Sequence, residues 1–327
     1  MQNREKTCAC PSGGFKTMCG GQALIEGIMM RGLKKQAVVV RKPDGTLAIR
    51  ESQLRFIKDR FPVLGLPLIR GMVTFVASMV EGVRALMYSA EFFPEEEGET
   101  EESSRFEAWL ERTLGSDQAA SFFVTVSVIL GIGMSIGLFF LLPTLLGSVV
   151  TFFTDSMVVR NVAESLMKLA IFVGYLALCS RMKDIHRVFQ YHGAEHKTIF
   201  CYENEEPLTV ENVKKHSRFH PRCGTSFMIF MLVLGILIGV FIPFTNPFLR
   251  SFTKILLIPL VVALGYEVIR FCGRHDNLFT RIISAPGMWV QRITTKEPKD
   301  DMIEVAIQAL EAVIPENGED KLPAQKS

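Results

Sequence analysis

The sequence predicts a mostly α-helical protein: a polytopic membrane helical bundle of about four spans, with a small N-terminal β-hairpin element and amphipathic cytoplasmic helices. Three observations predict this class. The 37 positions from Gln118 to Thr154 contain no charged residue, whereas a spanning helix needs about 20 apolar residues. Further apolar runs follow in the second half of the chain. A turn sequence between two β-type runs precedes all of these stretches.

Composition excludes several other classes. The formal net charge of +2 provides no strong basic field, so we expect no nucleic-acid partner. The seven cysteines follow no regular spacing, which argues against a disulfide framework. Cys8, Cys10 and Cys19 are therefore expected to be free thiols. The first 22 residues contain no apolar stretch of the kind found in secretory signals, and we expect residues 1–18 to be disordered.

Residues 19–92 are predicted to form a cytoplasmic β-hairpin followed by an interfacial helix. The Pro-Asp-Gly turn at 43–45 separates the β-type runs Ala37–Arg41 and Thr46–Arg50, a pattern typical of a hairpin. Leu66–Ala90 has the composition of one long helix, but its longest uncharged stretch is ten residues. That length is too short to cross a bilayer, so an interfacial or core-packed helix is expected.

Residues 20–32 form another β-type run, in which glycines bracket apolar residues. Glu26 lies inside this run, and two interpretations of it stay open. The carboxylate is either buried and paired with nearby Arg31, or solvated on a short strand. In the first case, Glu26 and Arg31 are candidate site residues.

Residues 93–118 are predicted to be an acidic linker with a short amphipathic helix, because seven glutamates lie between Pro94 and Glu107. The four-span membrane domain, 119–275, follows, and a break in its first helix is expected at Pro143. The predicted spans are Phe122–Leu142, Val162–Cys179, Thr225–Phe244 and Ile255–Glu267.

Basic residues assign an orientation to these spans. Eight Lys and Arg residues lie between Arg181 and Arg222, and eight more between Arg270 and Lys326, whereas the two other connections carry one and two. Loops rich in basic residues stay on the cytoplasmic side. We therefore expect both termini and the loop 181–224 to be cytoplasmic, which agrees with an even number of spans.

Residues 276–314 are predicted to be a cytoplasmic helical region. An apolar stripe recurs there at helical spacing and consists of Ile303, Ile307, Leu310 and Ile314. This helix is expected to pack back on the cytoplasmic domain. The tail 315–327 is expected to be disordered.

The loop 181–224 contains the arrangement H-x-x-E-H within Tyr191–Lys197. On a helix, His192, Glu195 and His196 share one face. Two imidazoles at this spacing can bind one metal ion, while the carboxylate serves as a third ligand or as a proton acceptor. The pattern predicts a divalent metal site, with zinc the expected ion and Glu195 the catalytic residue.

Two ligand sets stay open, because the predicted topology brings further candidates to the same membrane face. Glu267, at the inner end of the fourth span, would complete an open site with the two histidines and leave a position for water. His220 and Cys223, just before the third span, would instead complete a closed, four-ligand structural site. Arg222 in the same run is a candidate anchor for a phosphate or a lipid headgroup, and Glu297 is a further candidate ligand.

The chain resembles the YqhQ-like family of bacterial multi-pass membrane proteins, a domain of unknown function described as a predicted metal-dependent enzyme. The resemblance covers Gly20 to about Val313. Five motifs carry it: Gly21–Gly32, Tyr191–Lys197, His220–Phe227, Gly265–Glu267 and Thr294–Pro298. Ile28 is a mild variant, at a position where valine is expected. The resemblance implies a bacterial membrane protein with a metal site, and it names no reaction.

A second resemblance is much narrower. The H-x-x-E-H spacing is similar to that of soluble inverted-motif zinc peptidases. Those enzymes take a downstream glutamate as their third ligand, and Glu267 lies 71 residues after His196. This resemblance covers five residues and one distance.

These features predict a metal-dependent enzyme, a hydrolase, in the bacterial cytoplasmic membrane, with its site at the cytoplasmic surface. Its expected partners are the lipid bilayer and an unknown substrate or protein. The alternative is a non-catalytic scaffold or carrier with a structural metal or a polar network. A carrier should place ionisable residues deep in several spans, and the first and third predicted spans contain none.

Overall fold

The computed structural model describes residues 14–54, 61–93, 116–275 and 277–323. The strands are β1 Phe15–Thr17, β2 Gly20–Leu24, β3 Gly27–Arg31, β4 Lys35–Arg41, β5 Leu47–Gln53 and β6 Lys321–Pro323. The helices are α1 Ile69–Ala90, α2 Ser116–Ile136, α3 Leu142–Val149, α4 Met157–Cys179, α5 Lys183–Glu203, α6 Val210–Lys214, α7 Gly224–Val240, α8 Pro247–Leu256, α9 Ile258–Arg274, α10 Leu278–Thr294 and α11 Asp300–Glu311. The described chain is thus mostly helical, with small N-terminal sheets.

Two compact units divide the chain. The first consists of Met1–Phe93, Tyr175–Gly235 and Ile258–Ser327, and the second of Pro94–Gly174 and Ile236–Leu257. The predicted thiols Cys8 and Cys10 lie outside the described residues, and so does most of the predicted acidic linker. The cysteines of the described chain are free, in agreement with the prediction that there is no disulfide framework.

Strands β2 to β5 form an antiparallel sheet in chain order. The predicted hairpin is confirmed as β4 and β5, with Val38 opposite Arg50. The glycine-bracketed run before it is itself a hairpin of β2 and β3. Glu26 lies in the turn of that hairpin with a φ of 49°, a conformation that is uncommon for a residue with a side chain.

The two central strands of this sheet, β3 and β4, are buried on both faces, which explains the unbroken apolar run in β4. One face packs in a core with α5 and α11 and includes Ile28, Met30, Ala37 and Val39. The other face packs near Ala85 of α1 and includes Leu24, Met29, Val38 and Val40. The sheet therefore fixes α5, which carries the H-x-x-E-H motif, on one of its sides.

The apolar stripe of the C-terminal helix packs as expected. Ile303, Ile307 and Leu310 of α11 lie in the same core as α5, and Ile314 packs against it. Because α11 contacts both α5 and the sheet, it holds the helix of the H-x-x-E-H motif from a second direction.

Two helical segments are long and apolar enough to cross a membrane, namely Thr125–Val149 and α4. The pair α8 and α9, bent by 45°, makes a third if it is one span. Helix α7 is apolar but shorter, with 17 residues. Length and composition thus give two or three candidate spans in the described chain, consistent with a membrane protein.

Pro143 does not break the first of these segments, contrary to prediction. Residues Gly137–Leu141, between α2 and α3, form a π-helical turn in which the N–H of Leu142 donates to the carbonyl of Gly137. The wider turn displaces the carbonyls that a proline ring would meet in a regular α-helix. The segment therefore continues to Val149.

Both ends of the described chain are ordered where disorder is predicted. Strand β1 pairs with β6 in a two-stranded antiparallel sheet. Asp320, fully buried, accepts hydrogen bonds from the hydroxyls of Thr17 at 2.5 Å and Tyr202 at 3.2 Å. The predicted disorder of 1–18 and 315–327 is wrong for these residues, because partners from distant parts of the chain hold them.

Candidate metal centre

Three potential metal ligands converge in the first unit. His192 and His196 lie one turn apart on α5, and Cys223 lies directly before α7. Their ligand atoms lie within 4.8 Å of one another, and Nε2 of His192 is 3.1 Å from Sγ of Cys223. The two histidines therefore share one helix face, as the H-x-x-E-H spacing predicts, and a thiol from another element joins them.

Each of these histidines is oriented by a backbone carbonyl. Nδ1 of His192 is 2.9 Å from the carbonyl oxygen of Thr294, and Nδ1 of His196 is 2.6 Å from that of Arg218. A carbonyl only accepts, so Nδ1 of each ring carries a proton, and Nε2 is the nitrogen that faces the cluster and is available to a metal ion. Proteins commonly prepare imidazoles for metal binding in this way.

Cys223 is placed so that its thiolate is favoured. It caps the N-terminus of α7, where the N–H of Thr225 is 3.4 Å from Sγ, and a helix N-terminus stabilises a thiolate. Burial alone would raise the pKa of Cys223, but the imidazoles of His196 and His192 outweigh it and hold the pKa well below its usual value. The thiolate is the form that binds metal.

Glu195 lies beside the three ligands with one oxygen free. Oε1 accepts a hydrogen bond from the N–H of Gly21 at 2.9 Å, whereas Oε2 is buried without a partner. A Cβ atom at position 21 would lie 2.9 Å from Cδ of Glu195, so the close approach requires glycine. Burial is the main influence on Glu195 and raises its pKa, which the two imidazoles only partly offset.

Glu267, the predicted third ligand of an open site, has a different partner. Its Oε1 accepts from Nε of Arg70 at 2.7 Å and from the N–H of Leu68 at 3.4 Å. It is absent from the groups of clustered ligands found among the described residues. The structure therefore does not bring Glu267 together with the two histidines, and the arginine of α1 neutralises this carboxylate.

His220 is near the cluster but is not one of its three ligands. Its ring centroid is 5.5 Å from that of His196, and its Nε2 lies 3.7 Å from Glu203. Burial lowers the pKa of His220 to about 4, so the ring is neutral. Of the two residues that the predicted four-ligand set adds to the histidine pair, the structure brings Cys223 into the cluster but not His220.

Arg222, the predicted anchor for a phosphate or headgroup, is used inside the protein. It pairs with Glu203 and donates to the carbonyl of Thr17 at 2.8 Å. A guanidinium with these partners ties β1 to the end of α5. The Arg222 guanidinium is therefore already engaged by partners within the protein.

The other charged candidates also have internal partners. Glu26 pairs with Arg187 of α5 and accepts from the hydroxyl of Tyr191 at 3.2 Å. It is thus partly buried and paired, although not with Arg31, whose contact is Ser78 at 3.5 Å. Glu297 is 66% exposed and lies 2.8 Å from Lys197, away from the three ligands.

Sequence reasoning missed the residues that hold the loop before α7. The buried side chain of Gln291 accepts from the N–H of His220 at 2.8 Å and donates to its carbonyl at 2.8 Å. It also donates to the hydroxyl of Ser226 at 3.1 Å. The one sequence signal near this region is the motif that begins at Thr294. The contacts of Gln291 join residues 65 to 71 positions apart, so no local sequence pattern reveals them.

A second group of potential ligands consists of Cys201, Glu206 and His216. It is less suited to a metal, because burial raises the pKa of Cys201 to about 11. The Cys201 thiol also points to the carbonyl of Pro207 at 3.5 Å. His216, the third member of the group, is half-buried and lies 3.4 Å from Glu206.

The first cluster fits a divalent metal ion. Two imidazoles and a thiolate are ligands that zinc and similar ions accept. Two buried atoms at this cluster lack any hydrogen-bond partner, namely Nε2 of His196 and Oε2 of the adjacent Glu195. Buried polar atoms are rarely left unpaired, so the arrangement indicates a ligand.

The chain is mostly helical and has apolar helices that could cross a membrane. It also has a His/His/Cys cluster that could hold a metal ion. These two features define a candidate membrane metalloprotein. The chain belongs to the family described as "Protein of unknown function (DUF1385)", whose profile matches residues 66–316. It is 33% identical over 298 residues to the "Uncharacterized protein YqhQ" of Bacillus subtilis (strain 168), an alignment that covers 90% of this chain and 92% of that protein. The resemblance to the YqhQ-like family is confirmed. No solved structure matches the chain.

Proposed function

We propose that this chain is an integral membrane metalloenzyme in which His192, His196 and Cys223 bind one divalent metal ion, with zinc as the ion that suits the ligands. Glu195 is its proton acceptor, and the reaction is a hydrolysis. The observation that carries the proposal is the convergence of three potential ligands, among them two imidazoles oriented by backbone carbonyls, with Nε2 of His196 buried and unpaired. The ligand set differs from both predicted sets, since Cys223 takes the place of Glu267.

The membrane part of the proposal is four spans: the segment Thr125–Val149, then α4, α7, and the bent pair α8–α9. Helix α7 has 17 residues, about 26 Å at 1.5 Å per residue, and the apolar residues after Val240 extend it toward the thickness of a bilayer. Four spans put both termini on one side. The basic residues of the loop 181–224 and of the C-terminal region favour the cytoplasmic side of a bacterial cytoplasmic membrane.

His192, His196 and Cys223 would hold the ion, which when bound would polarise the substrate and acidify water. The protein groups then have separate tasks. Thr294 and Arg218 keep the Nε2 atoms of the histidines directed at the cluster. Glu195, held by Gly21 through Oε1, offers Oε2 as the acceptor for a proton. Burial raises the pKa of Glu195, which favours the uptake of a proton by this carboxylate.

Elemental analysis of the detergent-purified protein tests the metal site. We expect about one metal ion per chain in the wild type and none in the His192→Ala, His196→Ala double variant. The matched control is His186→Ala, because His186 is an exposed histidine on the same helix. Equal metal content in the wild type and the double variant would rule out the proposal.

One observation favours a second function, a non-catalytic scaffold with a structural metal. His196 and Glu195 are only 1% and 5% exposed, and deep burial is typical of structural sites. Cobalt-loaded protein separates the two functions, because an added hydroxamate can bind only at an open coordination position. A changed visible spectrum supports the enzyme, and an unchanged spectrum supports the scaffold.

A further inference from the structure

Helix α10 has one exposed side that is apolar. The large residues on this side are 59% to 74% exposed and form what we call the outer stripe: Leu278, Phe279, Ile282 and Trp289. Their spacing keeps all of them within about 100° of arc around the helix axis. A stripe of this width normally faces the interior of a protein, whereas here it faces outward.

The opposite side of α10 is fixed to the first turn of α7. A Cβ atom on Gly287 would lie 2.5 Å from Cα of Ser226, so the two helices approach so closely that only glycine fits. The buried side chain of Gln291 donates to the hydroxyl of Ser226 at 3.1 Å. The carbonyl of Thr294, at the end of the helix, orients His192. The inner side of α10 therefore supports the metal centre, and the outer stripe faces away from it.

Three features indicate that a lipid bilayer covers the outer stripe. The chain enters α10 directly from α9, the second half of the bent candidate span, since α9 ends at Arg274 and α10 begins at Leu278. Arg281 and Arg292 are exposed and lie at one edge of the stripe, where a cation can reach lipid headgroups while the apolar side chains enter the acyl region. Trp289 is of a residue type that is enriched at the boundary between membrane and water.

We propose that α10 lies in the plane of the membrane surface, with its outer stripe among the lipids and Arg281 and Arg292 at the level of the headgroups. An amphipathic helix in this position enters the boundary between headgroups and acyl chains by about 5–10 Å. Because the inner side of the same helix supports the metal centre, the centre is placed next to the membrane surface. The proposal rests on the membrane part of the proposed function and does not depend on the metal ion.

Fluorescence quenching of Trp289 in liposomes of phosphatidylcholine and phosphatidylglycerol tests the proposal. The chain contains two tryptophans, Trp109 and Trp289, so the Trp109→Phe variant of the full-length protein reports on Trp289 alone. We expect lipid brominated near the headgroup end of its acyl chains to lower the emission about two-fold, because an interfacial helix reaches this depth. Lipid brominated near the chain ends should quench less, and acrylamide in the water should quench little.

A matched reporter on α11 provides the control. In the variant Trp109→Phe, Trp289→Phe, Gln308→Trp, the tryptophan lies on the exposed side of α11, which is polar because Glu304 and Glu311 share it. We expect no quenching by either brominated lipid at this position and strong quenching by acrylamide. If this variant does not fold, Glu304→Trp on the same side replaces Gln308→Trp. The difference in emission between the wild type and Trp289→Phe gives the Trp289 signal if Trp109→Phe does not fold.

Four outcomes would overturn the proposal. Strong quenching of Trp289 by acrylamide alone places the outer stripe in water. Protection from all quenchers shows that protein covers the stripe, either a second copy or another segment of the chain. Stronger quenching by lipid brominated near the chain ends places α10 deep in the bilayer. Failure of the protein to float with the liposomes removes the membrane part of the proposed function as well, whereas flotation with an unquenched Trp289 contradicts only the position of α10.

Discussion

Two buried carboxylates in this molecule lie in opposite situations. In the second unit, Glu164 accepts from Nε of Arg250 at 2.9 Å and from the hydroxyl of Thr144 at 2.6 Å, and it also pairs with Lys254. In the first unit, Glu195 is equally buried, but one of its oxygens has no partner. No atom of Glu164, Arg250 or Lys254 is among the buried unpaired atoms of the described chain.

The difference separates a structural cluster from a ligand site. A buried charge is tolerated when every polar atom is paired, because desolvation is then offset by local interactions. The cluster around Glu164 meets this condition and needs nothing further. The cluster around Glu195 meets it only if an ion or a proton is added. The predictions below test this contrast, from the largest expected effect to the smallest.

Arg250→Met should destabilise the second unit by about 3–5 kcal/mol, because it leaves Glu164 buried without its main cation. Chemical unfolding in detergent measures the loss. The control is Arg181→Met at an exposed arginine, which should change little. The double variant Glu164→Gln, Arg250→Met should recover part of the stability, and a single variant as stable as the wild type would contradict a structural role.

Cys223→Ser should weaken metal binding about 100-fold, which corresponds to about 2.7 kcal/mol of metal-dependent stability. The reason is that a neutral hydroxyl replaces the one anionic ligand of the cluster. Competition with a chelator measures the affinity. Cys201→Ser, in the second group of potential ligands, should retain the metal; loss of metal only in that variant would place the ion elsewhere.

Glu195→Gln should stabilise the metal-free protein by about 1 kcal/mol, because the amide removes a buried, half-paired charge. Glu164→Gln should have the opposite sign, because it breaks a satisfied network. Thermal unfolding with a chelator present compares the two. If both substitutions change the stability in the same direction, the unpaired oxygen of Glu195 does not affect the stability.

Glu203 should contribute a small acid-sensitive stability to the first unit. Burial raises its pKa, but the adjacent ring of His220 and the charge of Arg222 outweigh this effect and lower it. A carboxylate with a lowered folded-state pKa stabilises above its unfolded pKa of about 4.5, and the gain disappears as the pH falls further.

Unfolding of metal-free protein between pH 6 and pH 3.5 measures this contribution. In Glu203→Gln the acid-induced loss of stability should be smaller than in the wild type. Glu205→Gln is the control, because the Glu205 side chain is 63% exposed. An unchanged pH profile in Glu203→Gln would contradict the prediction.

Features that neighbouring residues encode are predictable from this sequence. The turn at 43–45 gives the hairpin of β4 and β5, and the spacing of His192 and His196 puts both imidazoles on one face. The stripe through Ile303 and Leu310 gives the buried face of α11. In each case a periodic or turn pattern over fewer than twenty residues carries the information.

Pairings between distant residues are not predictable in this way. Glu267 pairs with Arg70, 197 positions away, and Glu26 with Arg187, 161 positions away. Neither partner differs in local pattern from other arginines of the chain. The approach of Cys223 to the two histidines also depends on distant residues, both of them in α10. The carbonyl of Thr294 orients His192, and Gln291 holds the loop before α7.

The unit that contains the candidate metal centre is built from three stretches of chain, separated by residues 94–174 and 236–257. Gly21 comes from the first stretch, His192 from the second and Thr294 from the third. During synthesis, the ribosome releases these pieces in that order, with the candidate membrane spans between them. A nascent chain therefore carries its histidines long before the carbonyl that orients His192 exists. Firm retention of an ion would mark a polypeptide that has been completed and fully inserted.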